Sequence, residues 1–141
     1  MNKIFYTLIL ITIVMNQIQA QTTDLQLIEK TVNYYFDGMV NHKSESFLEA
    51  FHPTATMKWI GEEYTEVNAV EALSGYVESN PTVKTKTSIL AINVIGDAAN
   101  VQLELEYETF SFIDFMHLLK INGKWKIVSK VYTKRLKEFK E

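Results

Sequence analysis

Val101-Gln102-Leu103-Glu104-Leu105-Glu106-Tyr107 alternates apolar and polar side chains without a slip. Successive side chains on a strand point to opposite faces, so this run has one face for a core and one for water. Upstream, Gly96-Asp97 reads as a turn and Lys84 to Ile95 as the partner strand. Downstream, Ser111 to Ile121 and Lys124 to Thr133 are two further strands, joined by Asn122-Gly123. Asn-Gly between strands marks a hairpin, because a type I′ turn needs positive φ at both positions. The second half of the chain is therefore a meander of four long antiparallel strands.

The first half has helical period. Leu25, Ile28, Val32, Tyr35, Phe36 and Met39 recur at three- and four-residue steps between Asp24 and Asn41. Thr23 or Asp24 suits the N-cap, and Gly38 near the end costs helix stability. A second helix is expected over Ser44 to Phe51, capped by Ser44, burying Phe47, Leu48 and Phe51, and stopped by Pro53. Thr56 to Ile60 reads as a strand, Gly61-Glu62-Glu63 as a turn, and Tyr64-Thr65 as a short return. Asn68 to Glu78 is a third helix with Val70, Leu73 and Val77 on one side, and Asn80-Pro81 ends it. Helices gathered ahead of a meander define an α+β class. The charged tail from Lys134 to Glu141 is expected to fray or coil loosely.

Met1 to Ala20 reads as a secretory signal: Lys3 is the positive n-region, Ile4 to Met15 an uncharged apolar run, and Ala20 the small residue at the cleavage point. The run is shorter than the roughly 20 apolar residues that span a bilayer. The expected product is one domain, residues 21–141, exported to the periplasm or secreted, with no membrane segment after cleavage. The chain of 141 residues is 47% hydrophobic, which excludes a mostly disordered polymer. Its net charge of −3 argues against non-specific nucleic-acid binding. With no cysteine, disulfides, thiolate metal sites and a cysteine nucleophile are excluded.

Several motifs in this order resemble the nuclear transport factor 2-like superfamily: Tyr35-Phe36-Asp37-Gly38 late in the first helix, Phe51-His52-Pro53-Thr54-Ala55 before the first strand, and the run from Phe112 through Asn122-Gly123-Lys124-Trp125 to Tyr132. The nearest likeness is to its SnoaL-like and "putative lumazine-binding" branch. The resemblance implies a cone: a curved antiparallel or mixed sheet wrapped around the long N-terminal helix, with three helices and then four long strands. It also implies a pocket on the concave face and pairing of two copies through the open sheet face. The fold hosts isomerases, cyclases, dehydratases and binding modules, so it does not select an activity.

The pocket candidates are Tyr35, Trp59, Tyr107, Asp114, His117 and Trp125. Asp114 is the one carboxylate in an otherwise apolar stretch and is the residue that would serve as a general base. It is expected instead to face solvent or a backbone donor. His117, three residues on, falls on the opposite strand face from Asp114, so parity gives no Asp–His dyad. His52 reads as a turn residue and His42 as a solvated one. Three scattered histidines make no metal site, and Glu62, Glu63 and Glu66 lack calcium-loop spacing. Glu104, Glu106 and Glu108 are expected to pair with lysines such as Lys84 and Lys86. No glycine-rich phosphate loop or nucleophile elbow occurs, and nothing calls for a cofactor. The reading is an exported domain that binds a small apolar or aromatic molecule, or acts as an accessory module, without a catalytic set. The rivals are a cofactor-independent isomerase, hydratase or cyclase using a pocket carboxylate or histidine, and a structural homodimerisation module.

Overall fold

The computed structural model describes the backbone of residues 2–138 and the side chains of Met15 and residues 23–138. The expected cleavage at Ala20 concerns side chains outside that set. Among the described residues three helices and six strands follow in the order α1 (Asn2–Asn41), α2 (Ser44–Ala50), β1 (Phe51–Ile60), β2 (Tyr64–Asn68), α3 (Ala69–Ser79), β3 (Lys86–Ile95), β4 (Ala98–Glu106), β5 (Phe110–Ile121) and β6 (Lys124–Leu136). They form one mixed sheet in the order β2-β1-β6-β5-β4-β3. β1 runs parallel to β6, and every other neighbouring pair is antiparallel. This is the α+β class that the order of periods implied and the cone that the family resemblance implied, with β1 and β2 added at the β6 edge of the meander.

The core lies between the helices and one face of the sheet. Ile28, Val32, Tyr35, Phe36 and Met39 of α1 are buried, as the helical period requires. From the sheet, Val101, Leu103 and Leu105 are fully buried and Tyr107 nearly so, while Gln102, Glu104 and Glu106 are half-buried on the other face. Burying a leucine contributes about 1.5–3 kcal/mol, so this row is a main source of stability. Asn122 and Gly123 have φ of 50° and 78°, the turn geometry that their pairing signalled. Gly38 is not a mere weakness in α1. A Cβ there would overlap the ring of Phe47, so its absence lets α2 lie against α1.

Several local expectations change. α1 begins far upstream of Asp24, because no glycine or proline interrupts it there. Asp24 therefore does not cap a helix; it accepts hydrogen bonds from Lys120 Nζ and Trp125 Nε1, each at 3.0 Å, and ties α1 to the β5–β6 hairpin. Ser44 gives no cap, and Lys43, at the N-cap position of α2, makes no side-chain capping bond. Leu48 is exposed, since it lies a third of a turn round from Phe47 on a helix of only seven residues. Phe51 starts β1 rather than ending α2. Asn68 does cap α3, accepting from Glu71 N at 3.1 Å. Lys134 to Leu136 extend β6 and pair with β5. Their charges do not oppose pairing, because Arg135 Nη2 meets Glu104 at 2.6 Å. Glu106 meets Lys137 Nζ at 3.1 Å and Lys86 Nζ at 3.5 Å.

One irregularity positions the site. His117 pairs with Ser129 and Leu118 with Ile127, so Val128 has no partner of its own. Such a bulge shifts side-chain parity by one. Trp125 and Ile127 face the core before it; Lys130 and Tyr132 face the same way after it. Unbroken alternation would have turned Val131 inward and Lys130 to solvent. β3 contains the same device at Leu90, between the pairs Ile89–Leu103 and Ala91–Gln102.

Candidate functional site

Asp114 is at the centre of the concave face, opposite Leu103 of β4 and Tyr132 of β6. It has no exposed surface. The expectation that it meets solvent or a backbone donor is corrected: two side chains from distant parts of the chain converge on it. Tyr35 Oη, from the middle of α1, donates to Oδ2 at 2.7 Å. Lys130 Nζ, carried inward by the bulge, donates to Oδ1 at 2.5 Å. Lys130 is 3% exposed and Tyr35 1%. A buried carboxylate is tolerated only when it is paired and hydrogen-bonded, and both conditions hold.

The electrostatics follow from burial. Desolvation holds the Lys130 ammonium below the usual lysine range, against the opposing pull of the Asp114 charge and hydrogen bond. Burial, reinforced by the Asp114 charge, pushes the Tyr35 phenol well above its ordinary value and keeps it a donor. Tyr132 is raised for the same two reasons. Tyr132 also presents its ring to Lys130 Nζ, 4.3 Å from the centroid, within cation–π range.

Beside this cluster is a cavity of about 260 Å³ between β1, β5, β6, α1 and α3. Its walls include Met39, Met57, Trp59, Leu73, Phe112 and Tyr132, and among the described residues Lys130 is the one charged residue lining it. Trp59 stacks on Tyr132 with centroids 5.4 Å apart. Tyr76 lines both this cavity and a wider one of about 620 Å³ at the open end, bordered by Tyr107, Phe110 and Lys84.

The six sequence candidates are thus dispersed. Trp59 lines the cavity, whereas Tyr35 and Asp114 lie outside its lining and connect to it through Lys130. Tyr107 belongs to the wider cavity, stacked on Phe110 at 4.7 Å, and burial pushes its phenol up to about 12. Trp125 is at the far end of the cone, beside a shallow hollow with Leu27 and Thr31. His117 is exposed on the outer face, away from the cavity, as parity indicated. Lys130 escaped sequence reasoning because a lysine two places from Val128 reads as a surface residue until the bulge is known. Among the described residues no three histidine, aspartate or glutamate side chains gather to hold a metal.

A curved sheet closed over a long helix, with an apolar cavity on the concave side, defines the nuclear transport factor 2-like class of proteins. The chain belongs to the family described as "Putative lumazine-binding", whose model matches residues 23–133. Among solved structures it is similar to an NTF2-like protein of unknown function from Shewanella baltica OS155, with TM-score 0.75, 26% identity, and coverage of 81% of this chain and 95% of that one. A second NTF2-like protein of unknown function, from Methylobacillus flagellatus KT, has TM-score 0.71 and 28% identity over 82% of this chain and 94% of its own. A ketosteroid isomerase-like protein from Erwinia carotovora atroseptica, with TM-score 0.65 and 14% identity over 79% and 95% of the two chains, shares the fold. Among characterised proteins, aldolase FrzH of a Cladobotryum species is 23% identical over 105 residues, 72% of this chain and 84% of the relative.

Proposed function

We propose that this chain is an exported domain that takes a small, neutral, largely apolar or aromatic molecule into the cavity beside Lys130. The observation that carries this reading is the lining: apolar and aromatic walls with Lys130 as the single charged group among the described residues. Small-molecule sites have this character, and their usual range of roughly 300–1,000 Å³ makes about 260 Å³ suit a guest of one or two rings. Asp114 neutralises Lys130, so the buried pair carries no net charge. An anionic guest would leave one charge unbalanced in a dry site, which is costly. A neutral guest with a carbonyl or hydroxyl oxygen would accept a hydrogen bond from Lys130 and unbalance nothing. Export rests on Lys3, the apolar run Ile4 to Met15, and Ala20. The outer sheet face exposes part of Phe115, Leu119 and Val131, which suits pairing of two copies through that face. The test is native mass spectrometry of the protein purified from its host. A co-purifying neutral molecule, lost in a Trp59→Ala variant that still folds, is expected; a guest retained by that variant would refute the site.

A second reading is favoured by one observation. Asp114, Lys130 and Tyr35 make a buried chain of ionisable groups at the cavity, the arrangement that proton-transfer enzymes use. The likeness to an aldolase points the same way. Both Asp114 oxygens are already engaged, however, so it would move protons through Lys130 rather than directly. Exchange of the guest's carbon-bound protons with deuterated water, lost in Asp114→Asn, would establish an isomerase or lyase; its absence leaves a binding domain.

A further inference from the structure

We propose that Lys130 is a nucleophilic amine that condenses with an aldehyde or ketone held in the cavity, with Asp114 as its proton partner. This deepens the binding reading and rests on it: the carbonyl is the oxygen-bearing group of the neutral guest. Four features carry the inference. Lys130 is the charged residue among the described ones that line the cavity, and its Nζ is held between Asp114 and the ring of Tyr132, itself a wall of that cavity. It is 3% exposed, so bulk water, which would reverse the condensation, is largely excluded. Its Nζ is 2.5 Å from Asp114 Oδ1, a path along which a proton can pass without changing the net charge of the buried cluster. Tyr35, bonded to the other oxygen at 2.7 Å, fixes the carboxyl while this happens. A lysine desolvated in an apolar pocket is the usual setting for amine nucleophiles.

The step balances within these groups. Asp114 takes a proton from the Lys130 ammonium, leaving a neutral amine and a carboxylic acid. The nitrogen lone pair attacks the carbonyl carbon, the C=O π pair moves to oxygen, and that oxygen takes the Asp114 proton. Nitrogen loses its own second proton to the carboxylate, which returns it to the hydroxyl as the C–O bond breaks, and one water leaves. The product is a protonated imine beside the Asp114 carboxylate, so the buried ion pair is restored. The Tyr132 ring face, 4.3 Å from Nζ, attracts that cation as it attracts the ammonium.

The experiment uses the full chain with benzaldehyde and sodium cyanoborohydride, which reduces an imine to a stable benzylamine, followed by peptide mapping. Benzyl alcohol, which has the ring but no carbonyl, is titrated in parallel against tryptophan fluorescence, with Trp59→Phe as the control. The expected result is benzylation of Lys130 at least about tenfold faster than of the exposed Lys124, because a desolvated amine is less protonated than a surface one. Asp114→Asn should slow labelling at Lys130 but not at Lys124. Labelling spread over exposed lysines, with benzyl alcohol still bound near Trp59, would overturn the nucleophile and leave the binding reading intact. Unselective labelling with no response to benzyl alcohol would overturn both. The labelling ratio in the unmodified chain decides the matter without any variant having to fold.

Discussion

Strands β4 and β6 flank β5 on its two sides and build opposite halves of the concave face by different rules. On β4, alternation is unbroken: Val101, Leu103, Leu105 and Tyr107 all enter the core. On β6, Val128 is an extra residue, and the inward row runs Trp125, Ile127, Lys130, Tyr132. The regular half supplies hydrophobic burial, which is non-directional and tolerant of detail. The irregular half aims Lys130, which alternation alone would have sent to solvent, at a buried carboxylate. Bulges are common beside functional sites for this reason.

The largest expected effect is on the irregular half. Asp114→Ala should cost about 3–5 kcal/mol in denaturant melts, because it leaves Lys130 charged, buried and unpaired. The double variant Asp114→Leu, Lys130→Met should recover most of that loss, since an apolar pair of similar volume removes both charges. A single-variant cost near zero would mean that Lys130 reaches water and that the bulge does not set its face. On the regular half, Leu103→Ala should cost about 2–5 kcal/mol, the range for a buried leucine. A cost below that of Glu104→Ala would reverse the assigned faces.

Tyr107, last of the regular row, tests the same face by pH. Its folded value is raised above that of the unfolded chain, from 10 to about 12. Its contribution is therefore complete below about pH 10 and is lost as pH rises toward 12. Stability should fall over that window, and Tyr107→Phe should flatten its share of the fall. Glu104→Ala should cost less than about 1 kcal/mol, the range for an exposed ion pair such as that with Arg135, and the cost should shrink in high salt. Smallest of all, Val131→Thr should stay within about ±0.5 kcal/mol as an outward substitution. Unbroken alternation would make Val131 a core residue, and burying the threonine hydroxyl there would then cost about 1–3 kcal/mol.

The class of fold was legible because its signals are local. The period of three and four in α1, the alternation in β4 and the Asn122-Gly123 turn each follow from a few neighbouring residues. The parallel pairing of β1 with β6 was not, since it joins segments some 70 residues apart in the chain with no local mark. The bulge in β3 leaves a trace, for Ile89, Ile92 and Val94 keep an apolar row across the shift. The bulge in β6 leaves none, because the residue that it turns inward is a lysine. Reading Asp114 as solvent-facing followed from the same gap: a carboxylate with no visible partner is expected to stay in water.

The sequence by itself determined the order of helices and strands, the inward row of β4 and the abundance of aromatic side chains. Each depends on propensity and periodicity, which act within a few residues. Only the tertiary structure decided that Tyr35, Asp114 and Lys130 meet. Residues 35 and 114 are 79 positions apart, and their hydrogen bond exists because the sheet curls around α1. Lys130 joins them because one unpaired residue reverses the strand face. A buried charge is stable only with its partner in place, so the site exists as a property of the folded cone and of no segment within it.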